Sequence, residues 1–436
     1  MTLGRKGKVG RLLCAALLAP LWGAGYAHAQ LRGHGGPVRA VAVSSNGQRA
    51  ISGSFDTSAI VWSLASEKAE AVLRFHEGPV NAVTFLKDGR MATAGEDARI
   101  AIWRVGEDRP VKVFEGHRGP IVALAASPDG AWLASGSWDQ TARLWSVDGE
   151  GSRLLAGHRQ NVNGVAFTPD GRALVTVGYD ASLRIWPIAG GEAPTIVTLP
   201  APLNGVVVAG DGEILAGAAN GSVYLLSSSG ERKGEVGAAD VPIIALALAP
   251  NGRWIAAASM RGAVLLIDRQ SRALVRALGG PGPPVWSASF SSDNSTLLTG
   301  GSDGIVHRWN VISGRPVGAA PLAGREDFLA AYPGDAGAEV FRACIACHTL
   351  SGDQGNRAGP SLAGILGRKI ATLPGYNFSP ALKKLDIVWT PDTLSKLFEI
   401  GPTAYTPGTK MPEQRIDSVA DRLALIEFLK KATTNP

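Results

Sequence analysis

Two thiols and an imidazole stand together at Cys344-Ile345-Ala346-Cys347-His348. Thiols at this spacing share one helical turn, where they can add to the two vinyl groups of a haem. The adjoining imidazole then falls beneath the iron. A zinc site would use the same residue types but needs a fourth ligand, and no Cys or His follows His348. A dithiol redox pair belongs in a strand–helix–strand setting, which the flanking sequence lacks. Elimination supplies a second iron ligand. Met411, within Pro407-Gly408-Thr409-Lys410-Met411, is the only Met after residue 334, while Met91 and Met260 lie far upstream. A thioether opposite an imidazole favours ferrous iron and raises the potential relative to two imidazoles. With both axial positions filled, such a centre moves electrons and does not readily bind oxygen or substrate.

Several function classes fall away on composition. The chain has 436 residues, 45% hydrophobic and 18% charged, which allows two to four packed domains and argues against disorder. Three cysteines are too few for a disulfide scaffold. Arg5, Lys6, Lys8 and Arg11 precede an apolar stretch from Leu12 to Tyr26 and then Ala27-His28-Ala29. That is the layout of a secretory signal, residues 1–29, with cleavage expected after Ala29. Cys14 lies near the start of the apolar stretch rather than after it, which disfavours a lipid anchor. No later apolar run is long enough to span a bilayer, so no membrane span is expected after cleavage. The formal charge of +6 falls to +2 without those four basic residues, leaving 39 basic against 37 acidic. So even a balance gives no electrostatic case for nucleic acid.

The elements that must position this chemistry follow a large preceding repeat. Trp62, Trp103, Trp145, Trp186, Leu226, Ile267 and Trp309 end seven similar segments, at gaps of 41, 42, 41, 40, 41 and 42. Strands of alternating pattern, such as Val38-Arg39-Ala40-Val41-Ala42-Val43, make the units β-structured. Six residues before the terminal position stands Asp56, Asp97, Asp139, Asp180 or Asp303. Four before each of these stands Ser52, Thr93, Ser135, Thr176 or Thr299. His34, His76, His117 and His158 precede the first four Asp residues by 21 or 22. This pattern resembles WD40 repeats, each unit a four-stranded propeller blade. The resemblance implies that His, Ser/Thr, Asp and Trp form a hydrogen-bonded tetrad inside the blade. Four His–Asp pairs could be mistaken for hydrolase triads, but repetition at the blade period argues for structure. Units five and six depart from the pattern, with Ala216 and Asn220, and Ala257 and Arg261, at the Ser/Thr and Asp positions. Unit seven keeps Thr299, Asp303 and Trp309 without the preceding His, and His307 reads as a packed strand residue.

For ring closure, Gln30-Leu31-Arg32 looks too short for a strand, while Arg315 to Ala320 echoes the outer-strand segment starting at Arg109. Blade seven is therefore expected to take its outer strand from its own C-terminal side, with Leu31 adding at most a partial clasp. The boundaries follow: a seven-bladed propeller over 30–322, a linker over 323–333, and a helical domain over 334–436.

Residues 334 to 434 are similar to class I cytochrome c. Gly337 and Phe341 match the family's first helix, and Leu425 and Phe428 match its last. Gly359-Pro360-Ser361-Leu362 matches the loop whose proline carbonyl holds the axial imidazole. The resemblance implies that Arg368, Trp389 and Thr409 reach the haem propionates, whose burial requires donors. Phe378 stands where many relatives have a propionate-bonding Tyr. Phe398 takes the approximate place of a Tyr whose hydroxyl meets the axial sulfur, and Glu413 replaces an aromatic that covers the haem. With 12 Lys/Arg against 10 Asp/Glu over 334–436, the domain lacks a strongly basic docking ring.

The fold class expected is therefore multidomain: an all-β seven-bladed WD40 propeller, then an all-α class I cytochrome c domain. The site expected is one covalent haem c held by Cys344, Cys347, His348 and Met411, with Pro360, Arg368, Trp389 and Thr409 around it. The function expected is electron transfer in the periplasm, between a redox-protein donor and acceptor, with the propeller as docking platform. Two alternatives stay open: a quinohaemoprotein-like dehydrogenase, whose propeller follows a different, eight-unit pattern with a metal site, and a redox-sensing scaffold.

Overall fold

The computed structural model describes residues 30–280, 282–317, 328–345, 347–351, 357–374, 376, 378–411 and 413–433. The expected signal segment lies outside them. Seven four-stranded antiparallel sheets account for residues 31–310. In the first blade the strands Val38–Val43, Arg49–Ser54, Ser58–Ser63 and Lys68–Arg74 pair in chain order. Five further blades repeat that order. Each blade carries a register shift near the start of its first strand, as between Val38 and Ala40 and between Val285 and Ser287. A bulge adds local twist, so its sevenfold repetition keeps the blades alike.

The tetrads form in the first four blades. His117 shows the pattern: Nδ1 meets Asp139 at 2.8 Å, Nε2 meets Ser135 Oγ at 2.8 Å, and Trp145 Nε1 donates to that hydroxyl at 2.8 Å. Blades one, two and four repeat it around His34, His76 and His158. Asp56, Asp97 and Asp180 are buried, which alone would raise their pKa values. Their histidine and amide partners, joined by a hydroxyl at Asp56 and Asp180, outweigh that and hold all three at about 2. The residue after each tetrad Asp has positive φ: Thr57 66°, Ala98 61°, Gln140 71° and Ala181 59°. Blades five to seven use Gly221, Gly262 and Gly304 there. Blade five replaces the tetrad with a bond from Asn220 Nδ2 to the buried Tyr224 hydroxyl, at 2.9 Å.

Closure differs from the sequence expectation. Leu31–Arg32 is a strand, and it supplies the outer edge of blade seven by pairing with Ile305 and Val306. Leu31 is 0% exposed, in a cluster with Val38, Ile60, Trp62, Leu298 and Val306. Its burial between first and last blades gives two residues the hold that a longer strand takes from its ladder. On the C-terminal side, the described part of the expected segment adds a bridge, Trp309 to Pro316, with Val317 N bonded to Arg308 O at 2.8 Å, and residues 318–320 of that segment lie outside the described residues. Blade seven also recovers an imidazole. His307 Nε2 meets Asp303 at 2.5 Å, from the strand itself rather than from the usual preceding position.

The second domain is helical. Its helices are α1 (Ala336–Phe341), α2 (Pro391–Ile400), α3 (Pro402–Tyr405) and α4 (Val419–Thr433). Helix α4 crosses α1, and Gly337 makes the crossing possible, because a Cβ there would collide with Ala424 O. Phe341 and Phe428 pack at 5.4 Å between ring centroids. Part of the expected linker belongs to this core. A 3₁₀ turn spans Phe328–Ala331, Leu329 is buried in the helical cluster, and Tyr332 meets Phe428 edge-on at 5.1 Å. No helix among the described residues is long and apolar enough to cross a membrane.

Candidate haem site

Asp335 starts the local structure by capping α1, accepting from Gly337 N at 2.9 Å and Ala338 N at 3.2 Å. The chain then continues in helical turns. Cys347 N and His348 N both donate to Cys344 O, at 3.1 and 2.9 Å. One turn therefore carries both thiols and the imidazole, as the spacing requires. They line a cavity of about 720 Å³ that Met411 also lines.

His348 is half-buried at the cavity wall, and its Nδ1–H donates to Pro360 O at 2.8 Å. That bond fixes the tautomer and leaves the Nε2 lone pair for a metal. Burial lowers the His348 pKa, with Pro360 opposing and Arg74 and Arg357 adding, so the ring is in the neutral, ligating form. Gly359 lies flat against the ring; a Cβ there would strike Cε1, Nδ1 and Nε2 together. Burial pushes the Cys344 thiol up to about 12 and the Cys347 thiol up to about 11. Among the described residues no three His, Cys, Asp or Glu side chains converge as a metal site.

The remaining site residues divide by role. Thr409 Oγ1 accepts from Met411 N at 3.1 Å and so shapes the turn that presents the thioether. Trp389 lines the cavity and exchanges backbone bonds with residues 367 and 368, at 2.8 and 2.9 Å. Arg368, expected at the propionates, directs Nη1 to Ala363 O and Nη2 to Ser361 O, each at 2.9 Å. It braces the loop that follows Pro360. Phe398 is buried beside Met411 in the helical core, and Glu413 accepts from Thr403 N at 3.0 Å.

Five features escaped the sequence. Tyr376 donates its hydroxyl to Ala358 O at 2.5 Å, and Arg357 donates to Ile345 O. The propeller reaches the site as well: Ala358 N donates to Gly33 O at 2.7 Å, and Gly35 lies so close to Cys347 Sγ that a Cβ there would overlap it. Arg74 of blade one lies over the Tyr376 ring, 5.3 Å from its centroid. A contact between two domains follows no period, so no pattern in the chain announces it.

The donor set fits a haem c: two protonated thiols on one turn, a neutral imidazole with an available Nε2, a thioether, and a cavity bordered by a glycine. Comparison with known proteins agrees. The cytochrome c family profile matches residues 334–433. Profiles described as the IFT122 first beta-propeller and as the WD domain, G-beta repeat, match residues 79–320 and 25–63. Cytochrome c of Gibberella zeae is 42% identical over 98 residues, 22% of this chain and 92% of that protein. Those of Cochliobolus lunatus and Arabidopsis thaliana are each 43% identical over 103 residues, 23% of this chain and 94% and 91% of theirs. The C-terminal domain thus binds haem c covalently.

Proposed function

The chain belongs to the β-propeller family matched over residues 79–320 and, through residues 334–433, to the cytochrome c family, and from this premise we propose a periplasmic electron carrier whose propeller docks a redox protein. The observation that carries the reading is the shared cavity of Cys344, Cys347, His348 and Met411. Haem supplies a one-electron couple there. Cys344 and Cys347 hold the group covalently, His348 is fixed in its ligating tautomer by Pro360, and Met411 offers sulfur from the turn that Thr409 shapes. The buried walls exclude water, so little solvent needs to rearrange on electron transfer. The N-terminal basic and apolar segments support export, since they have the layout that directs a chain out of the cytoplasm.

Docking rests on one face of the propeller. After the second strand of each blade, one residue bonds back to the chain ahead of the first strand. Phe55, Trp138, Tyr179 and Met260 occupy that position in blades one, three, four and six. They are 43%, 42%, 48% and 43% exposed, although such side chains are normally buried. Equivalent positions share a face, and Asp56, next to Phe55, holds Gly35 N at 2.8 Å beside Cys347. Aromatic anchors on the face that meets the haem-binding domain suit a protein partner. The tetrad histidines are occupied structurally, which supports docking over a dehydrogenase reading.

The test compares the native chain with a Trp138→Ser, Tyr179→Ser double variant. Haem reduction is followed with ascorbate and with the electron-donating periplasmic fraction of the source cells. Docking predicts equal ascorbate rates and a several-fold slower reaction of the variant with the fraction. Equal rates in both, or substrate turnover by the propeller, would contradict it. Export predicts a mature chain beginning at Gln30 in the periplasmic fraction.

A further inference from the structure

The cavity holding Cys344, Cys347 and His348 takes one wall from the other domain. Arg74 ends the outer strand of blade one, Lys68–Arg74, and lines that cavity. Its guanidinium carbon lies 5.3 Å from the Tyr376 ring centroid, and the Tyr376 ring lies 4.7 Å from that of Phe378. Arg74 Nε is buried with no acceptor among the described residues. Arg143 has a similar Nε, but its guanidinium sits over Trp145 of its own blade, 5.6 Å from the ring centroid. Arg74 instead reaches out of the propeller into the cavity.

Haem brings two propionates, and a carboxylate against buried walls needs donors. Trp389, Thr409, Lys369, Lys383 and Lys410 line the cavity too, but two of the expected donors are missing or turned away. Phe378 has no hydroxyl, and Arg368 has turned Nη1 and Nη2 to the carbonyls of Ala363 and Ser361. Arg74 enters the same cavity with donors to spare. The nearby acid, Asp56, is committed to His34, Ser58 and Gly35 N and does not compete for it.

We propose that Arg74 pairs with a haem propionate, so that the propeller completes the cofactor site of the helical domain. The inference rests on the cavity being the haem site. A guanidinium matches a carboxylate with two parallel bonds. The Ala358–Gly33 bond and the close approach of Gly35 to Cys347 keep blade one against the cavity. A cation at the haem favours the ferrous state, because reduction removes one positive charge from the iron. The propeller then sets the potential as well as the partner.

The experiment uses full-length holoprotein with Arg74→Gln and Arg74→Lys, read by spectroelectrochemical titration and by resonance Raman in the propionate-bending region. Arg74→Gln should shift the ferrous/ferric equilibrium three- to tenfold towards ferric, tenfold being about 59 mV for one electron, and should move the propionate band. Arg74→Lys should recover most of the potential, since it keeps the charge. An unchanged potential and propionate band in Arg74→Gln would overturn the pairing. So would a lysine variant that matches the glutamine one while hydrogen exchange at Ala358 N quickens, because Arg74 would then be only a domain contact. A chain that purifies without covalent haem would overturn the haem reading itself.

Discussion

Replacing Asp139 with alanine separates structural from chemical roles for the propeller tetrads. Asp139 Oδ2 accepts from His117 Nδ1 at 2.8 Å and from Arg118 N at 2.9 Å. Its Oδ1 accepts from Thr141 N at 3.0 Å and Thr141 Oγ1 at 2.6 Å. Arg118 N lies at an exposed site and can turn to water, and the Thr141 hydroxyl can rotate. The His117 side chain is 0% exposed, and its Nδ1 keeps only the longer contact with Thr141 Oγ1, at 3.3 Å. A buried donor left unpaired costs about 1–3 kcal/mol, and the weakened Thr141 turn adds about 1. Asp139→Ala should therefore destabilise the propeller by about 2–4 kcal/mol, or roughly 4–8 °C in Tm at about 2 °C per kcal/mol for a large domain. Calorimetry gives the propeller transition, and the haem absorbance and potential serve as the internal control. Asp240, paired with Arg261 at the surface and 78% exposed, is the matched control and should cost under about 0.5 kcal/mol as alanine. A loss below about 0.5 kcal/mol at Asp139, or a shifted haem potential, would refute the structural assignment.

Gly359→Ala should push the His348 ring from its seat, so the ferric spectrum turns at least partly high-spin while the haem stays covalently attached; an unchanged spectrum would contradict the close packing. Leu31→Ala should cost about 2–4 kcal/mol in urea unfolding by opening the clasp between blades one and seven. Acid should act on the propeller in two stages. Burial lowers the His158 pKa from 6.5, so stability present above about 6.5 declines as the pH falls and the unfolded imidazole takes up a proton. Asp56, Asp97 and Asp180 sit at about 2 against about 3.9 unfolded, so their contribution is full above about 4 and is lost as the pH falls towards 2. Chemical denaturation from pH 8 to 2 checks both stages, and a flat profile between pH 4 and 2 would contradict the second.

The tetrads were legible because their chemistry repeats. Ser135, Asp139 and Trp145 stand at fixed intervals set by one hydrogen-bond geometry, and the same intervals recur around the ring. The haem turn was legible because its three groups must share one turn. Closure was not, since two residues have no periodicity and the hold on Leu31 comes from burial between distant segments. His307 was read as packing because it reaches Asp303 from the strand just after that residue's turn instead of from the usual preceding position. The bracing by Arg368 and the entry of Arg74 depend on side-chain direction and on domain contact, which spacing does not encode.

Axial ligation by His348 and Met411 is the centre of the account, and the far-red sulfur-to-iron band of the oxidised protein tests it most directly. Native protein, carrying one covalent haem by denaturing mass spectrometry, should show the band, and Met411→Ala should lose it and lower the reduction potential. A band that survives Met411→Ala unchanged would contradict the ligation and, with it, the electron-carrier mechanism derived from this cavity.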